Sequence, residues 1–125
     1  MVGLRTLAIL AILPAAPAGQ AAAGQDVVRI FASCAGRFSA QMEHEWLLSD
    51  PAADRTGAER DRMIGLLETL TAPGVGRALD LRIEAKQAQT ALLTRATFNR
   101  DRGDAHWARQ RAETEIAACR SLLLG

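Results

Sequence analysis

The side chains able to do chemistry gather in two short stretches, Gln41-Met42-Glu43-His44-Glu45-Trp46 and Arg100-Asp101-Arg102-Gly103-Asp104-Ala105-His106-Trp107. Met42, His44, Glu45 and His106 offer thioether, imidazole and carboxylate ligand atoms, a set that suits copper in an exported protein. Their spacing is poor for a metal: there is no His-x-x-x-His, no Glu-x-x-His and no Cys-x-x-Cys-His for haem attachment. Catalysis has less support still. No nucleophile stands beside a base in a known local signature, no glycine-rich loop awaits a phosphate, and Glu113 and Glu115 read as solvated helix surface. The sequence therefore assigns no catalytic residue, metal or cofactor, and a non-enzymatic interaction or structural protein is the expectation. Its candidate partner-binding residues are His44, Glu45, Trp46, Arg102, His106 and Trp107. The alternative is a small-ligand or copper-type metal site using Gln41, His44 and Glu45.

Four helices must position these groups. β-branched residues are sparse and never alternate for long, whereas three- and four-residue apolar spacing runs throughout. The first helix is expected over about Asp26 to Leu48, with Val27, Phe31, Cys34, Phe38 and Met42 on one stripe. Ser49-Asp50-Pro51 ends it, because a residue before proline avoids helical geometry. Thr56-Gly57-Ala58-Glu59 has the form of a capping box opening a second helix with Met63, Leu66, Leu67 and Leu70 inward. Pro73-Gly74 marks a turn. A third helix is expected from about Val75 to Arg102, with Ala78, Leu81, Ala85, Ala88, Leu92 and Ala96 as its stripe. Gly103 as C-cap and Asp104 as N-cap predict a very short link to a fourth helix facing inward with Ala105, Ala108, Ala112, Ile116, Cys119 and Leu123.

Short links favour antiparallel neighbours, so the expected fold is all-α, a small up-down-up-down four-helix bundle. Cys34 and Cys119 both lie on inward stripes, and a disulfide between them makes helices one and four antiparallel. Facing residue numbers then keep a constant sum, which puts Trp46 and Trp107 at one level, about 18 Å from the disulfide. Arg55 and Arg100 join that end. Gln41 and Glu45 fall on the inward stripe of helix one, with Arg109 and Arg111 at the height to pair with the carboxylate. Leu79, Ile83 and Leu93 form a second apolar face on helix three, which either sits under helix two or makes a homodimer.

Residues 1–23 read as a cleavable signal peptide: Arg5 supplies the charge, Leu7 to Ile12 the apolar run, Pro14 and Pro17 the break, and Ala21-Ala22-Ala23 the small residues before the cut. The run is too short to span a bilayer, which takes about 20 residues. Phe31-Ala32-Ser33-Cys34 loosely resembles a lipidation box, but Asp26 and Arg29 stand where such a signal needs apolar residues. The expected mature chain, 24–125, is a single helical domain with no membrane span. The whole chain has 15 Lys plus Arg and 14 Asp plus Glu; without Arg5 the balance is 14 against 14. Neutral balance argues against a nucleic-acid partner. Two cysteines in an exported chain most simply pair. The excess of arginine over lysine and the abundant alanine suggest a bacterial origin and hence the periplasm, with a cell-envelope protein as partner.

Overall fold

The structure, a computed structural model, describes residues 18–71 and 76–125. Arg5, the Leu7–Ile12 run, Pro14, Pro17 and the Pro73-Gly74 turn lie outside the described residues. Four helices follow in order: α1 Ala18–Leu47, α2 Ala52–Leu70, α3 Gly76–Phe98 and α4 Arg102–Leu124. None of them is long and apolar enough to cross a membrane. α1 begins earlier than the sequence reading placed it and runs through Ala21-Ala22-Ala23, so Cys34 sits midway along it rather than near its start.

Two cap assignments need correction. Thr56 does not open α2: the helix starts at Ala52, whose amide donates to the Asp50 carboxylate (2.9 Å), and Thr56 is fully buried inside it. At the α3–α4 link, Asp101 rather than Asp104 is the N-cap, its Oδ1 accepting from the Asp104 amide at 3.0 Å, and Gly103 falls in the first turn of α4. In both cases an aspartate nearer the proline or asparagine turn satisfies the orphan amides first.

The helices alternate in direction and form a bundle, with the Cys34–Cys119 disulfide joining α1 to α4 (Cα–Cα 5.4 Å). The disulfide lies in the main core with Ala35, Phe38, Met63 and Ile116, flanked by Phe31, Ile64 and Leu123. Every inward residue expected on α4 from Ala105 to Cys119 is buried. Polar pairs register the surrounding seams. Glu115 is well covered rather than solvated, and it bridges Arg37 of α1 (3.1 Å) and Arg111 (2.7 Å). Arg120 donates to both oxygens of Glu59 on α2 (3.1 and 3.0 Å), and Arg62 reaches the Leu123 carbonyl.

The closest pair is α1 with α3, which run parallel. Ala32, Ala35 and Gly36 are buried on α1, and a Cβ added to Gly36 would stand 2.1 Å from the Arg82 carbonyl oxygen and 3.0 Å from the Lys86 amide nitrogen. Lys86 itself pairs with Glu43 of α1 at 2.6 Å. α2 and α3, although consecutive, make no close backbone approach among the described residues and meet only in a small core of Ala32, Leu67 and Ala78, with Val28, Phe31 and Leu81 packed on it; the exposed Leu79–Ile83 face of α3 does not sit under α2. The inward stripe of α3 is the expected one in part: Ala78 and Ala96 are buried and Leu81, Ala85 and Leu92 half-buried, but Ala88 is exposed, and Gln89 and Leu93 are buried beside the stripe. Leu93 therefore cannot join Leu79 and Ile83, which are exposed, in a dimer face. Leu66 and Leu70 of α2 are likewise exposed, leaving Met63 and Leu67 as its core residues.

Gly36→Ala should lower stability in urea denaturation by about 3 kcal/mol, because the obstruction is helix backbone and not a side chain that can turn away. Gly65→Ala is the control. Nothing lies within 4 Å of its added Cβ, so this exposed mid-helix change should raise stability by about 0.5–1 kcal/mol.

Candidate functional site

The end of the bundle away from the disulfide is built from the α1–α2 and α3–α4 turns. α1 closes with a two-bond cap: the Ser49 amide donates to the Trp46 carbonyl (3.0 Å) and the Asp50 amide to the Glu45 carbonyl (2.8 Å). This Schellman pattern puts Ser49 at φ 56°, the left-handed conformation usually given to glycine. The fixed turn holds Trp46, Leu47 and Leu48 outward; Trp46 is 58% exposed. Across the end, Asn99 and Asp101 cap the α3–α4 turn, and Asp104 accepts from both Arg95 and Asn99. The Arg95 guanidinium also lies 5.2 Å from the centre of the Trp107 ring, itself 53% exposed. That bond to Arg95 holds the Asp104 carboxyl below the usual aspartate range and raises Arg95. The surface pair contributes stability above the unfolded aspartate pKa and loses it as pH falls through the depressed folded value.

Of the residues expected to form a partner-binding end, Trp46, Arg102, His106 and Trp107 are exposed. His44 is half-buried against α3: its Nε2 lies 2.9 Å from Thr97 Oγ1, and its ring meets Phe98 edge-on at 6.4 Å. Phe98, 59% exposed, was not singled out from the sequence, although an aromatic at a helix C-terminus beside Asn99 is a visible signal. Arg100 and Arg102 have no ion pair among the described residues, whereas Arg55 pairs with Glu59 one turn along α2 (3.5 Å). The copper-type set is not assembled. Met42 sulfur accepts from Arg60 (3.2 Å), His44 is tied to Thr97, and His106 stands apart on the surface of α4. Among the described residues no three His, Cys, Asp or Glu side chains come together as a metal site.

Beneath the surface lies a polar layer. Glu45 is 7% exposed; Gln41 Nε2 donates to its Oε1 at 3.0 Å, and its Oε2 has no partner. Arg109 and Arg111 do not supply one: Arg109 donates to the Ala96 carbonyl (3.0 Å), and Arg111 pairs with Glu115. Gln89, 1% exposed, donates to the Ala112 carbonyl (3.2 Å) and leaves its own Oε1 unpaired. Gln89 was passed over in the sequence because neighbouring Ala88 looked the better core residue, yet Ala85, Gln89 and Ala96 keep helical spacing. Glu45 also sits in the last turn of α1, where the carbonyl ends repel negative charge. Glu45→Gln keeps the acceptor for Gln41 and removes that charge. It should raise stability by about 1–2 kcal/mol at neutral pH, read as an increased midpoint in denaturant.

Compared with protein-family models, curated proteins and solved structures, the chain finds no match.

Proposed function

We propose that this chain is an exported, non-enzymatic helical protein that holds a protein partner against the loop end of its bundle, in the periplasm. One observation carries the reading: Trp46, Leu47, Leu48, Phe98 and Trp107, on the helix ends beside the two turns, are all at least half exposed. Tryptophan and arginine are the residue types that dominate binding energy at protein interfaces. Here the carboxylates are engaged locally, Asp50 and Asp101 in caps and Asp104 by Arg95. Arg100 and Arg102 thus have open donors beside the apolar side chains. The caps also keep the surface rigid before it meets a partner, which lowers the ordering cost of association.

Export is supported by the charge, apolar run and small residues of 1–23 and by the disulfide, which persists in oxidising compartments. The protein recovered from cells should fractionate with the periplasm and begin within a few residues of Gly24 by intact mass. A chain retaining its leader in the cytosol would overturn export. Trp46→Ala/Trp107→Ala, checked for unchanged helix content, should lose the proteins that wild type captures by crosslinking in the envelope. Undiminished recovery of every one of them would sink the loop-end surface.

A further inference from the structure

Toward the opposite end of the bundle, Ala32, Leu67 and Ala78 form a second small core, with Val28, Phe31 and Leu81 packed against it. Beyond that core α2 and α3 make no close backbone approach among the described residues, and the space between them over α1 opens as a groove of about 770 Å³ to which α4 contributes no lining residue. Gly24 and Ala78 are small and leave it deep; Val27, Val28, Leu70 and Leu81 make it apolar. Such a volume is that of a small-molecule site rather than of a protein interface, which is broad and flat.

The charges on this groove have one sign. Among the described residues, Arg29 and Arg77 are the only charged ones lining it, and none of those lining it is a carboxylate. Arg29 meets Asp26 only at 4.0 Å, with both side chains mostly in solvent, and Arg77 has no ion pair among the described residues. The Thr71 hydroxyl is already committed to the Leu67 carbonyl. The polar recognition on offer is thus two guanidinium groups and the neutral Gln25 amide above an apolar trough, the chemistry that matches an anionic head on an apolar tail.

We propose that this groove binds a single-chain anionic amphiphile, a long-chain carboxylate, with its tail against Val27, Val28, Leu70 and Leu81 and its head between Arg29 and Arg77. The site is independent of the loop end, which lies about 27 Å away along α1 from Val28 to Trp46.

Isothermal titration with dodecanoate tests this, using the protein in the form in which cells accumulate it. Dodecyltrimethylammonium, with the same tail and the opposite charge, is the comparison. Dodecanoate should bind one per chain below its micelle concentration, and the cationic amphiphile at least about tenfold more weakly. The exposed pair Arg29→Gln/Arg77→Gln should weaken dodecanoate about tenfold or more, and Val27→Asp should weaken it further, each with unchanged helix content by circular dichroism. Trp46→Ala/Trp107→Ala should bind as wild type does, so this site stands or falls separately from the partner surface. Absent saturable binding, equal affinity for the two head groups, or unchanged dodecanoate affinity in both groove variants would overturn the proposal.

Discussion

The fold depends on how closely α1 and α3 approach at Gly36. With a Cβ position only 2.1 Å from the Arg82 carbonyl oxygen, no other residue fits there without moving a helix. The approach is extended by Ala32 and Ala35 on α1 and by Ala78 on α3, all buried. Helices of small residues gain little apolar area per side chain, so their contact relies on dispersion between well-packed backbones, which falls off steeply with any gap. The same closeness brings Lys86 within reach of Glu43 and Thr97 within reach of His44, and so sets how the loop end is held.

Once α1 and α3 are locked as parallel neighbours, the other two helices have few places left. α2 returns along α1 through a turn that needs only Leu48 to Pro51, and α4 returns along α3 through Asn99 to Asp101. The disulfide then pulls α4 onto α1 in the core, between Phe38 and Ile116. Closing a loop of 85 residues stabilises the fold by about 4–5 kcal/mol in the chain-entropy model, a large share of what a domain this size has.

Much of this was legible in the residues, and the failures have physical causes. Helix number, alternating direction and the disulfide followed from apolar spacing, turn residues and two inward cysteines. The inward face of α4 was read correctly because its alanines and Ile116 alternate with charged residues. On α3 the stripe failed at Ala88 because alanine marks neither core nor surface: Ala88 and Gln89 differ by one position, and the buried one is polar. Pairing of α2 with α3 failed because a short connection favours contact without requiring it, and the close fit at Gly36 took precedence. Cap positions failed where several Asp, Thr and Gly stood within one turn and only geometry decided among them. At the candidate site, the antiparallel register of α1 and α4 was accessible from the two cysteines, and the Arg37–Glu115 pair keeps it. Phe98 and the unpaired Glu45 oxygen were not, since they depend on the α1–α3 approach and on where two arginines turn.

The two ends of the molecule differ in how their apolar groups are left in solvent. At the loop end, Trp46, Leu47, Leu48, Phe98 and Trp107 are held out by capped turns, one of them retaining a left-handed Ser49. Burying side chains of this size is worth about 1.5–3 kcal/mol each, so together they leave unused a free energy comparable to a small domain's whole stability. A chain under no constraint but folding would lose such residues readily to polar ones, since helix surface tolerates them. The capping hydrogen bonds hold this exposure in one geometry rather than letting the turns collapse over it. At the other end the apolar surface is concave, and the charged groups among its described lining residues are Arg29 and Arg77. A convex aromatic surface suits a macromolecule, and a concave one with a single sign of charge suits a small amphiphile. The same four helices can present both because the disulfide core between them holds each end independently of the other.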